Sequence, residues 1–228
     1  DRATSSDIGI PSIVLMENAA REVCKVCIRE LRGIDEPKAV IFAGKGNNGG
    51  DGFALARLLK DRGINCQIVF LFDRSNFSED AEINYNIALK CGINIITDFT
   101  EAVIETGRSD IVVDAILGTG ISRPVEGIYA SVIEMINTYA KKVISVDIPS
   151  GVNSDDGRVM GMAVNADITV TFALPKIGML LYPGASYCGK IEIANISIQP
   201  STISEMNIKT AFLDKKDLYN IIPERKKR

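Results

Sequence analysis

Ten residues, Ala43-Gly44-Lys45-Gly46-Asn47-Asn48-Gly49-Gly50-Asp51-Gly52, constrain this chain more than any other stretch. They follow an apolar run, Ala39 to Phe42, that reads as a buried strand. They precede Phe53 to Leu59, whose apolar residues recur at helical spacing, with Gly63 placed to end the helix. A strand, a glycine-rich loop and a helix let backbone N–H groups approach an anion, and the helix N-terminus adds partial positive charge. Phosphate suits such a loop. Gly44-x-Gly46-x-x-Gly49 also matches the dinucleotide fingerprint, with Asp73 available to a ribose hydroxyl, whereas no Gly-Lys-Ser/Thr closes a Walker A loop. A plain strand-to-helix turn is the third reading. Asn47, Asn48 and Asp51 weigh against it, because a turn needs positive-φ residues but neither carboxamides nor a carboxylate.

The chain has 228 residues, enough for one large domain with a substantial core. Its net charge of −3 carries no basic stripe, which points away from nucleic acid. No apolar run reaches membrane-spanning length and no signal peptide is visible, so a cytoplasmic location is expected. Histidine is absent, which removes Ser-His-Asp triads, His-ligated zinc and imidazole acid–base chemistry together. Proton transfer falls to Asp, Glu, Lys, Tyr, Cys or water. The cysteines at 24, 27, 66, 91 and 188 stand among apolar neighbours and are expected to be reduced.

Along the chain, Met16, Ala20, Val23, Cys27 and Leu31 form one helical stripe, with Ser12 expected to cap the helix and Gly33 to end it. Glu17 and Asn18 read as its solvated face. Strands are expected at 66–72, 93–97, 111–117, 143–147, 168–173 and 190–196, and helices at 79–89 and 125–139. Apolar strands alternating with amphipathic helices argue for an α/β fold with a mostly parallel sheet covered on both faces. Ligands of such sheets bind beyond the carboxyl ends of the strands. Three strand ends carry polar groups: the 44–52 loop, Asp114 with Gly118 to Pro124, and Asp147 with Ser150. A carboxylate in a buried strand needs pairing, hydrogen bonds or a cation. Two of them beside two glycine loops point to a site.

Gly46 to Gly52, Val113 to Gly120, Val146 to Gly151 and Leu15 to Ala19 together resemble the NAD(P)H-hydrate epimerase family, that of the YjeF N-terminal domain. The likeness runs to about Ile196 and includes Thr171 to Gly178. It implies a Rossmann-like three-layer α/β/α sandwich, a homodimer, and interconversion of the R and S forms of NADHX and NADPHX, hydrated at nicotinamide C6. The S form would then feed a dehydratase in a metabolite-repair sequence. Carried onto this sequence, the substrate contacts are Asn47, Asn48, Gly49, Gly50 and Asp51, the loop Gly118, Thr119, Gly120, Ile121, Ser122, Arg123 and Pro124, and Asp147. Potassium (K+) contacts would be Asn48, Asp114 and Ser150.

The ring-nitrogen lone pair beside C6 can help expel the hydroxyl, an acid can assist its departure as water, and re-addition from the other face gives the other epimer. Asp147 is expected to be the principal acid–base and cation-stabilising group, with Lys176 as a lesser candidate. A conventional NAD-dependent oxidoreductase and a nucleotide-binding scaffold on the same fold are the rivals. Residues 1–222 are expected to form the domain, with a short helix at 214–222. Residues 223–228 would be a charged tail, or the start of a linker to a fused ribokinase-like, ADP- or ATP-dependent dehydratase.

Overall fold

The central apolar runs become strands buried on both faces, as in β1, β4, β5 and β6, a pattern that a sheet between two helical layers provides, while β3 and β7 at the two edges are only partly buried. The computed structural model describes residues 6, 8–73, 75–206, 208, 210 and 211. In chain order, residues 1–197 hold α1 (Ser12–Glu30), β1 (Lys38–Ala43), α2 (Asn47–Lys60), β2 (Asn65–Val69), α3 (Glu79–Lys90), β3 (Asn94–Ile96) and α4 (Phe99–Arg108). There follow β4 (Ile111–Ala115), α5 (Ile128–Tyr139), β5 (Val143–Val146), β6 (Ile168–Phe172) and β7 (Lys190–Ala194). The sheet order is β3-β2-β1-β4-β5-β6-β7, and every pairing is parallel. A mostly parallel sheet was the expectation; here it is parallel throughout.

The period-2 alternation of β1 sorts the layers. Ala39, Ile41 and Ala43 pack with α1, α2 and α3, including Val23, Phe53 and Leu55, while Val40 and Phe42 pack with Val132, Ile133 and Ile136 of α5 and Ala102 of α4. This is the three-layer sandwich. Strand order reverses between β1 and β4, the place where open α/β sheets leave a crevice at their carboxyl ends.

Several local details differ from the sequence reading. Helix α2 begins at Asn47, six residues before Phe53, and takes Gly49, Gly50 and Gly52 into the helix. Each glycine in a helix costs about 1 kcal/mol relative to alanine, but here there is no room for more than hydrogen. A Cβ on Gly49 would lie 1.9 Å from the Gly44 carbonyl oxygen, and one on Gly52 2.8 Å from the Ala115 Cβ. Ser12 is the first residue of α1 and makes no capping hydrogen bond. Glu17 and Asn18 are engaged rather than solvated: Glu17 pairs with Arg57 at 2.5 Å, and the Asn18 amide donates to the Ile196 carbonyl at 3.3 Å. Helix α4 has no counterpart in the sequence reading, although Asp98 caps it by accepting from the Glu101 N–H at 2.8 Å.

Residues 198–228 form a second unit. In it Pro200–Glu205 is helical, opening on Pro200 as first-turn prolines do, and the Ser204 hydroxyl donates to the Pro200 carbonyl at 2.9 Å. The expected helix at 214–222 and tail at 223–228 lie outside the described residues. Among the described residues no helix is long and apolar enough to cross a membrane.

Candidate active site

Two clusters of side chains stand at the carboxyl ends of β4, β5 and β6. The first is built on Asp114, which is fully buried in β4 opposite Ser145 of β5. Its carboxylate accepts from the Ser145 hydroxyl at 2.8 Å, the Ser150 N–H at 2.8 Å, the Ser150 hydroxyl at 2.5 Å and the Ile116 N–H at 3.3 Å. Burial pushes its pKa up and these four donors oppose that shift. The Ser150 oxygen also accepts from the Leu117 N–H at 2.8 Å, and the buried Asn48 amide donates to the Leu117 carbonyl at 3.2 Å. Asn48, Asp114 and Ser150 are thus linked in one hydrogen-bonded network that runs through Leu117.

The second cluster is built on Asp147, immediately after β5. Its backbone is held in the left-handed region at φ +66°, as is that of Ala173 after β6 at φ +60°. A non-glycine residue there costs on the order of 1–3 kcal/mol and persists when its surroundings over-determine it. The Asp147 N–H donates to the Val170 carbonyl at 2.8 Å, fixing the backbone against β6. The carboxylate accepts from the Lys176 ammonium, from the Thr171 hydroxyl at 3.3 Å and from the Phe172 N–H at 3.4 Å. Lys176 also donates to the Thr171 hydroxyl at 2.9 Å and the Phe172 carbonyl at 3.3 Å, so all three of its donors are used. This lysine is not a solvated loop residue. It is the ion partner of Asp147, with only 21% of its side chain exposed.

Asp51, on the second turn of α2, is 8% exposed and feels the charges of Asp147, Asp80 and Lys176. It lines a cavity of about 70 Å³ with Asn47, Asp80 and Phe172. The second glycine loop, from Gly120 to Pro124, borders a different cavity of about 440 Å³ that also meets Glu126 and Tyr129. The two loops meet where Asn48 packs beside Gly118, but the two cavities share no lining residue. Asn47 and Thr119 are exposed, and Ser154 donates to the Thr119 carbonyl at 3.3 Å. Asp73 pairs with Lys45 at 3.2 Å, and hydrogen bonds from Ser75 and Lys45 lower its pKa to about 2.

Thr171, Ser145 and Asp80 are the site residues that sequence reasoning passed over. A polar side chain inside an otherwise apolar buried strand was the available signal for Thr171 and Ser145. For Asp80 there was none, since an acid in the first turn of a helix is ordinary.

Acidic side chains at the carboxyl ends of β4 and β5, with glycines fronting α2, mark the candidate site of a parallel-sheet α/β protein. The chain belongs to the family described as YjeF-related protein N-terminus, whose model matches residues 12–178. It is 40% identical over 195 residues to the NAD(P)H-hydrate epimerase of Limosilactobacillus fermentum, covering 86% of this chain and 91% of that one. It is 39% identical over 219 residues to the bifunctional NAD(P)H-hydrate repair enzyme Nnr of Moorella thermoacetica, covering 93% of this chain but only 41% of that one. The chain therefore spans about two fifths of the length of its bifunctional relatives. Its fold matches the crystal structure of yeast ynu0 with a TM-score of 0.78 at 22% identity, over 95% of this chain and 92% of that one.

Proposed function

We propose that this chain interconverts the C6 epimers of hydrated NADH and NADPH, acting as an NAD(P)H-hydrate epimerase in metabolite repair. The observation that carries this reading is the Asp147–Lys176 pair, held on a strained backbone at the carboxyl end of the sheet in a chain that covers 91% of a relative named for that activity. The substrate is cradled by Asn47 to Asp51 at the head of α2 and by Gly118 to Pro124. Lys176 keeps the Asp147 carboxylate aimed, and that negative charge stabilises the iminium-like cation formed when water leaves C6. Asp147 also takes part in moving the proton.

Potassium belongs to this reading. Asp114 is a buried carboxylate with hydrogen-bond donors around it and, among the described residues, no cationic side chain against it, and its neighbours Ser150, Asn48 and the Leu117 carbonyl supply further oxygens. An all-oxygen donor set with one negative charge fits a hard monovalent cation. The ion would offset the charge of Asp114 and hold the two glycine loops in register.

A homodimer and a cytoplasmic setting complete the proposal. Five free thiols, four of them buried, are consistent with a reducing compartment. Dimerisation is tested by light scattering of the purified protein. The activity itself is tested by incubating separated epimers with the protein: interconversion above the spontaneous rate supports the reading, and its absence removes it.

A further inference from the structure

Buried carboxylates are normally surrounded by donors, and Asp114 illustrates the rule with four. Asp51 departs from it. It is as buried as Asn48, yet its carboxyl accepts no hydrogen bond from the described residues. Its charged neighbours are Asp147, Asp80 and Lys176. The first two repel a second negative charge, and the third is already committed to Asp147, Thr171 and the Phe172 carbonyl. It borders the 70 Å³ cavity, room for about two water molecules at about 30 Å³ each.

We propose that Asp51 is the second acid–base group of this site, a carboxylic acid that protonates the oxygen leaving C6 while Asp147 stays a carboxylate against Lys176. The inference rests on the epimerase reading and deepens it. Neighbouring carboxyls in unlike surroundings divide acid and base roles. Here Asp147 has an ammonium and two other donors, whereas Asp51 has burial and two acidic neighbours. Burial first, then the charges of Asp147 and Asp80, raise the Asp51 pKa well above the ordinary carboxylate range.

The step balances. The Asp51 carboxyl gives its proton to the C6 hydroxyl oxygen, and the C6–O bond breaks with its electron pair remaining on the departing water. The ring-nitrogen lone pair becomes the C=N bond. Water then attacks C6 from the opposite face, the C=N pair returns to nitrogen, and the proton that water sheds passes to a carboxylate of the pair. Asp51 and Asp147 begin and end the cycle holding one proton between them. Nothing is oxidised or reduced.

The test compares wild type, Asp51→Asn and Asp51→Glu by epimer interconversion across pH, alongside melting temperature and infrared difference spectra. Wild type should show a carboxylic-acid carbonyl band at neutral pH that Asp51→Asn lacks. Its activity should fall on the alkaline side as Asp51 ionises. Asp51→Asn should lose about 100-fold in kcat with KM little changed, and Asp51→Glu should recover part of it with the alkaline limb displaced. Should Asp51→Asn fail to fold, the wild-type spectrum and the Asp51→Glu profile decide. An Asp51→Asn protein that turns over as fast as wild type, or a neutral-pH spectrum without the acid band, overturns the assignment. A wild-type protein that does not interconvert the epimers defeats the epimerase reading itself and this role with it; active wild type beside an unaffected Asp51→Asn defeats this role alone.

Discussion

Asp114 and Asp147 stand at the ends of neighbouring strands, 33 positions apart in sequence, and their surroundings are opposite in kind. Around Asp114 the protein partners are neutral and buried: two serine hydroxyls, two backbone N–H groups and no exposed surface. Around Asp147 the partner is a lysine, the backbone is left-handed, and the side chain is only partly buried beside a second acid. A carboxylate held by neutral donors organises loops. One held by an ammonium on a strained turn is poised for chemistry. The difference teaches that burial alone does not mark a catalytic acid; the kind of partner does.

The largest effect should come from Asp147→Asn, which keeps the shape and removes the charge. Epimer interconversion should fall by about 10²–10⁴-fold, with circular dichroism and melting temperature close to wild type. An unimpaired Asp147→Asn protein breaks the comparison at its catalytic end. Asp114→Ala should do the reverse. Leaving two buried hydroxyls and two N–H groups without an acceptor should destabilise the fold by about 2–4 kcal/mol, read by denaturant unfolding. It should also abolish any melting difference between potassium and tetramethylammonium salts, and an equal wild-type melting temperature in both would remove the ion from the account.

Asp51 sharpens the contrast through pH. Its folded pKa lies above the unfolded value near ~3.9. The stability drawn from its protonated form is full below that value and is lost as pH rises towards the folded pKa. Asp51→Asn does not titrate, so it should match wild type in acid and gain on it as pH approaches neutrality. Thermal melts of both across that range check the sign, and a gain that shrinks with rising pH contradicts it. Asp73→Asn should do least. It removes an exposed pair with Lys45, leaving activity and melting temperature unchanged. A marked loss of nucleotide affinity in this variant would instead revive the dinucleotide-fingerprint reading.

The sheet and its layers were legible because continuous apolar runs leave few alternatives to a covered parallel sheet. Asp114, Asp147 and Ser150 were legible because polar residues at the ends of such runs need a reason. The head of α2 was not: glycine's poor helix propensity hid a helix whose closeness to Gly44 and Ala115 admits nothing larger. The link between Lys176 and Asp147 was also hidden, since it spans 29 positions and depends on how the turn after β6 folds back. Helix α4 was missed although its cap, Asp98 three residues before Glu101, stood in plain view.

The central claim is that Asp147 and its neighbours act on hydrated nicotinamide nucleotides, and one chromatographic time course tests it most directly. Pure R or S NADHX in potassium buffer should reach the equilibrium mixture far faster with wild-type protein than without it, and no faster than the blank with Asp147→Asn. Wild-type and protein-free traces that overlay would contradict the account.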